Sequence, residues 1–149
     1  MTALQELVRW QKKCGVITKA SLQSDVEALE RRYAVVLPDD FRAYLLHSCP
    51  AEEHWDSENT VWWPLARVRN IPEEYEHEVT EPQVAENQTK YLFFADYSIW
   101  CWAWAIACTN DRNRGRVALI GGAPDRFVAD SFSGFVQQYL SKPHSVYPA

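Results

Sequence analysis

Between Trp100 and Cys108 the chain alternates without exception. Trp100, Trp102, Trp104 and Ile106 fall on one face, and Cys101, Ala103, Ala105 and Ala107 on the other. Period two is the side-chain repeat of a β-strand. One large and one small face place this strand centrally in a sheet, and the small face predicts a second element, a helix, lying close over the alanines. The wholly apolar stretch Trp102–Cys108 is far shorter than the roughly 20 residues that span a bilayer as a helix, so no membrane role is expected.

The flanking sequence builds outwards from that strand. Asp111–Gly115 is turn chemistry, and Arg116–Ile120 returns as the partner strand. Gly121–Asp125 makes a second turn into a short strand, Arg126–Ala129. Tyr91–Ala95 is an aromatic-rich strand, and Val61–Trp63 is a short one ended by Pro64. Helices occupy the two ends of the chain. Thr2 with Gln5 reads as a capping box, followed by Leu4, Leu7 and Val8 and stopped near Gly15. Ser24 with Glu27 reads as another, predicting a helix over Ser24–Tyr33 that Leu37-Pro38 interrupts. Asp39-Asp40 opens a third helix, with Phe41, Tyr44 and Leu45 on one face. Asp130-Ser131 caps a final helix bearing Phe132, Phe135, Val136, Tyr139 and Leu140, ended by Pro143. The expectation is an α+β fold: N-terminal helices and a C-terminal helix packed on a mainly antiparallel β-sheet, in one domain over residues 1–149.

Charge narrows the partners. Lys plus Arg number 15 against 20 Asp plus Glu, a net charge of −5. Affinity for nucleic acid rests on cationic contacts with phosphates, so nucleic acid is not the expected partner. The segment Ile71–Glu86 is the most polarised: Glu73, Glu74, Glu76, Glu78, Glu81 and Glu86, two prolines, and no Lys or Arg. It reads as a solvated loop with one short helix, able to steer a basic partner. The N-terminus lacks the basic and apolar regions of a signal peptide. Cys14, Cys49, Cys101 and Cys108 form no CxxC pair, so reduced thiols and a cytoplasmic location are expected.

No chemistry-bearing constellation stands out. The five glycines make neither a GxGxxG nor a GxxxxGK loop. His47, Cys49 and His54 do not match the spacing of a structural zinc site, so neither metal nor cofactor is expected. Ser131 stands where a helix cap belongs, outside any GxSxG elbow. Cys101, inside the aromatic strand, reads as a buried and inert thiol. Arg112, Arg114 and Arg116 read as a solvated hairpin loop. Asp96 and Asp130, at strand ends, read as structural caps.

Three segments taken together resemble a known family. They are Val26–Glu30 with Val36-Leu37-Pro38-Asp39-Asp40-Phe41-Arg42-Ala43-Tyr44-Leu45-Leu46, then Val61-Trp62-Trp63-Pro64-Leu65 with Tyr91–Ser98, then Val128-Ala129-Asp130-Ser131-Phe132-Ser133-Gly134-Phe135. In this order they resemble the SUKH superfamily, most clearly from Val26 to Leu140. Where members often carry glycines after the third helix, this chain has Ser48-Cys49-Pro50. The resemblance implies an α+β fold without a shared catalytic centre. It also implies, for bacterial members, immunity proteins that bind and neutralise polymorphic toxin domains, nucleases or deaminases among them.

The first functional expectation is therefore a non-enzymatic, cytoplasmic immunity protein that binds a basic toxin domain. Its expected contacts are Glu73, Glu74, Glu76 and Glu78 with the aromatics Tyr75, Trp55, Trp62 and Trp63, since aromatic side chains anchor interfaces. Two alternatives stay open: a regulatory or scaffold module without a toxin, and a small-molecule-binding or hydrolytic enzyme with an aromatic pocket near Trp102.

Overall fold

The computed structural model describes residues 1–149. Three helices come first: α1 (Ala3–Lys13), α2 (Gln23–Tyr33) and α3 (Asp39–Ser48). Seven strands follow: β1 (His54–Trp55), β2 (Thr60–Trp62), β3 (Arg69–Asn70), β4 (Tyr91–Tyr97), β5 (Trp102–Ala107), β6 (Val117–Ile120) and β7 (Arg126–Ala129). Two four-residue helices, α4 (Ile71–Glu74) and α5 (Pro82–Ala85), lie between β3 and β4, and α6 (Phe132–Ser141) follows β7. All strand pairs are antiparallel, in the order β1-β2-β4-β5-β6-β7, with β3 pairing β4 beside β2. The fold is α+β. No helix is long and apolar enough to cross a membrane.

Local chemistry sets the helix ends. The Thr2 and Gln5 side chains form the reciprocal capping box, and Gly15 follows the helix at φ +77°. Ser131 Oγ accepts from the Gly134 amide at 2.9 Å, the capping bond its position predicts. Asp40 opens α3 and also accepts from the Ser133 amide, which ties α3 to α6. The expected cap at Ser24 is corrected: α2 begins one residue earlier, at Gln23. Leu22 sits at its N-cap without a side-chain bond, and Ser24 lies in the first turn.

The two faces of β5 divide the interior. Trp104 and Ile106 point into a cluster of 28 buried residues formed with α1, α2, α3 and α6, while Trp102 packs at its margin. Ala103, Ala105 and Ala107 point the other way, into a cluster of 12. No long helix covers the alanines. Ile71, Val79 and Val84 of the acidic segment do, together with Trp63, Tyr91 and Phe93. That segment is thus a folded layer, not a solvated loop. Its three apolar anchors occur at irregular intervals among glutamates, so they carry no period. In β4 the register shifts between Phe93 and Ala95, so Phe94 and Ala95 both face the helices while Phe93 faces the thin layer.

The arginine-bearing loop is likewise no solvated hairpin. Arg114 donates to the carbonyls of Val36 and Leu37, and the Arg116 guanidinium lies 3.8 Å from the centre of the Phe127 ring.

One carboxylate joins three elements of the large core. Asp56 is 5% exposed. Its Oδ2 accepts from Trp10 Nε1 of α1 at 3.1 Å, Trp62 Nε1 of β2 at 3.1 Å and the Tyr139 hydroxyl of α6 at 2.5 Å. Its Oδ1 accepts from the Glu58 and Thr60 amides. Burial first, and the facing Asp56 second, raise the Tyr139 hydroxyl far above the ordinary tyrosine value.

Asp56→Ala leaves two buried donors, Trp62 and Tyr139, and the half-buried Trp10 without their acceptor and is expected to destabilise the fold by about 3–5 kcal/mol in urea titration. Trp10→Phe removes one donor and should cost about 1 kcal/mol. Equal losses in the two variants would contradict the shared role of Asp56.

Candidate partner-binding surface

Within the acidic segment, the stretch that carries Glu73, Glu74, Glu76 and Glu78 is anchored at both ends. Ile71 is fully buried and Val79 is 7% exposed. Asn70 caps α4 by accepting from the Glu73 amide, and Pro72 stands at the helix start. The four glutamates predicted as contacts then separate into two pairs. Glu73 accepts from the Tyr33 hydroxyl at 2.6 Å and from Arg32 at 2.9 Å. The Tyr33 bond foremost, then the Arg32 charge, hold its carboxyl below the usual range. Glu74 accepts from Arg67 at 2.5 Å and from Trp100 Nε1 at 3.1 Å. Glu76 and Glu78 are exposed and make no hydrogen bond or ion pair.

The predicted aromatics separate too. Trp62 and Trp63 are fully buried and are corrected as contact residues: consecutive in extended chain at the end of β2, they point into opposite clusters. Trp63 lies beneath Arg67, whose guanidinium is 3.8 Å from the ring centre. Trp55 is 46% exposed. Its register, Trp55 to Val61 to Asp96 to Ala103, puts it on the alanine face of the sheet. Tyr75 is half-buried and stacks on Trp100, with ring centres 5.6 Å apart and planes at 12°. Trp55, Tyr75 and Trp100 therefore share one face at one end of the sheet. Arg67, bridging Glu53 at 3.4 Å and Glu74, lies within the same network.

That end of the sheet carries the β1–β2, β4–β5 and β6–β7 turns. The expected strand start at Trp100 is corrected here. β5 begins at Trp102, and Ser98–Cys101 form the β4–β5 tip, with Ser98 at φ +55° and Trp100 at φ +54°. The left-handed step turns the Trp100 ring off the row of Trp102 and Trp104 and onto Tyr75, Phe93 and Gly121. Cys101, expected in the interior, is exposed at this tip. Asp96 organises the turn: Oδ1 accepts from Trp63 Nε1 at 2.6 Å, and Oδ2 from the Trp100 amide at 2.9 Å. Its role is structural, as its position predicted, and burial raises its carboxyl above the ordinary value despite these two bonds.

The aromatic rings near Trp102 pack on one another. Trp102 stacks on Tyr97 at 4.2 Å, with Tyr147 at 5.6 Å. The sequence reading missed Ile99, the hairpin apex, which is 84% exposed. It also missed Glu53 and Glu58, which flank the same end. The available signal was Ser98-Ile99-Trp100-Cys101 itself, a tip without Gly or Asn between two aromatic strands.

An antiparallel sheet with helices on one face and a thin acidic layer on the other defines the class, an α+β domain. Within it, the chain belongs to the SMI1 / KNR4 family (SUKH-1), whose profile matches residues 21–138. No curated protein sequence matches the chain.

A raised folded-state carboxyl stabilises the protein below the unfolded value, and that contribution is lost as pH rises through the folded value. The stability of the wild type relative to Asp96→Asn, from urea titrations, should accordingly fall from acid to neutral pH. A difference that is flat or grows with pH would contradict the environment described for Asp96.

Proposed function

We propose that this chain is an immunity protein that binds a basic toxin domain and neutralises it by direct contact in the cytoplasm of the producing cell, without catalysis of its own. Membership of SUKH-1 supports the reading at the level of the family. The observation that carries it further is the placement of Glu76 and Glu78. Both stand exposed and unpaired on a segment anchored at Ile71 and Val79, so their charge is held at a fixed position. A toxin that acts on nucleic acid carries a cationic surface for its polyanionic substrate, and a fixed anionic surface complements it in both steering and register.

Co-expression with the C-terminal domain encoded by the neighbouring gene tests the proposal. Rescue of growth is the expected result. Continued toxicity, with both proteins soluble, would overturn it in favour of a regulatory module. Glu76→Lys with Glu78→Lys should weaken binding to that domain about tenfold at low salt and flatten its salt dependence. Unchanged affinity and salt slope would remove the acidic segment from the interface. Glu73 and Glu74 are unsuitable for this test because both hold internal bonds.

A further inference from the structure

The β4–β5 tip is built against local preference. A hairpin that needs left-handed residues recruits Gly, Asn or Asp, because a Cβ is disfavoured there. This tip places Ser98 at φ +55° and the bulky Trp100 at φ +54°, on either side of Ile99. Such conformations are disfavoured and persist only where the surroundings over-determine them.

The surroundings do so here. The Trp100 amide donates to Asp96, the Cys101 amide to the Tyr97 carbonyl at 2.9 Å, and the Ser98 amide to the Asn59 carbonyl at 2.7 Å. The Trp100 ring is stacked on Tyr75, with Phe93 edge-on at 5.3 Å. All of these contacts hold the loop, and none covers Ile99, which is 84% exposed, more than any other large apolar side chain of the protein. The turn is locked, and the residue at its apex is an isoleucine directed at solvent.

The geometry points to Ile99 as a preorganised apolar anchor that inserts into a pocket on a cationic protein partner, with the Tyr75–Trp100 stack and the unpaired glutamates as its rim. Charge selects that occupant. From Ile71 to Asp111 the chain has one Lys or Arg, Lys90, which donates to the Tyr33 and Ala34 carbonyls, and one histidine, His77, which stands between Glu76 and Glu78 with its ring 5.4 Å from that of Tyr75. Glu58 adjoins Asn59, which holds the tip, and Glu76 adjoins Tyr75. Arg67 is already engaged between Glu53 and Glu74, and Arg126 donates to the Tyr147 carbonyl. An anchor held rigid before binding forfeits little entropy on association, and an apolar centre inside a polar rim is the usual anatomy of a protein interface. The partner therefore needs an apolar pocket bordered by Lys or Arg.

This inference rests on the toxin-binding reading and adds to it which residue carries the affinity. The test uses the full chain and the catalytically inactivated C-terminal domain of the neighbouring gene's product, measured by calorimetry at low and high salt. Ile99→Asp should weaken binding about 30-fold or more at high salt, where its added charge is screened, and Ile99→Ala, which leaves the charge and the salt slope unchanged, by a smaller factor. Thermal unfolding should be unchanged, because the side chain is solvated. Ile17→Asp, another exposed isoleucine at 65%, serves as the control and should bind like wild type. Wild-type affinity in Ile99→Asp, with wild type itself binding, would overturn the anchor while leaving the toxin-binding reading intact. Equal weakening by Ile17→Asp would also overturn it. A wild type that does not bind the domain would overturn both.

Discussion

One buried carboxylate, Asp56, joins the first helix, the sheet and α6. Asp56 is an acceptor-only group, and five donors converge on it. Two of its partners are indoles, Trp62 fully buried in the core and Trp10 half-buried at its margin. The arrangement lets Trp62 serve as a core residue with its N–H satisfied. It also fixes the β1–β2 turn, since the same carboxylate binds the Glu58 and Thr60 amides. Asp96 repeats the device on the other face of the sheet with Trp63 and the Trp100 amide. An aromatic-rich chain has here a polar counterpart to its apolar packing, two buried aspartates that receive the indole N–H groups of Trp10, Trp62 and Trp63.

The consequence reaches the surface. The turn that Asp56 fixes supplies Asn59, whose carbonyl receives the Ser98 amide, and Asp96 fixes the next turn along the same sheet end. The acidic segment is pinned onto the alanine face through Ile71, Val79 and Val84. Small side chains on β5 are what allow so thin a layer to lie against the sheet. One end of the molecule is therefore stiff and anionic, with an apolar apex. A surface of that kind meets a cationic protein without first having to order itself.

Local signals were legible in the sequence wherever one residue decides the outcome. The Thr2 box, the Ser131 cap, the Asp39-Asp40 helix start and the strict alternation of β5 from Trp102 onward are of that kind. The ordered set of motifs also carried the family. Signals that depend on distance in the chain were not legible. Asp56 meets Trp10 across 46 positions and Tyr139 across 83. The anchors of the acidic layer are spaced irregularly, so its glutamates alone shaped the reading. Exposure of the predicted contact residues was legible only in part for the same reason: Glu76, Glu78 and Trp55 are exposed and Tyr75 is half-buried, whereas Trp62 and Trp63 serve the core. Ile99 was hidden because a period-two pattern cannot show where a strand stops and its turn begins.

The rigidity of this sheet end is the claim on which the rest depends, and native-state hydrogen exchange followed by NMR measures it directly. The account predicts slow exchange for the indole N–H groups of Trp10, Trp62 and Trp63 and for the amides of Ser98, Trp100 and Cys101, comparable to the central strands β4 and β5. Exchange of the tip amides and these indoles at unstructured-chain rates, with β4 and β5 still protected, would contradict it.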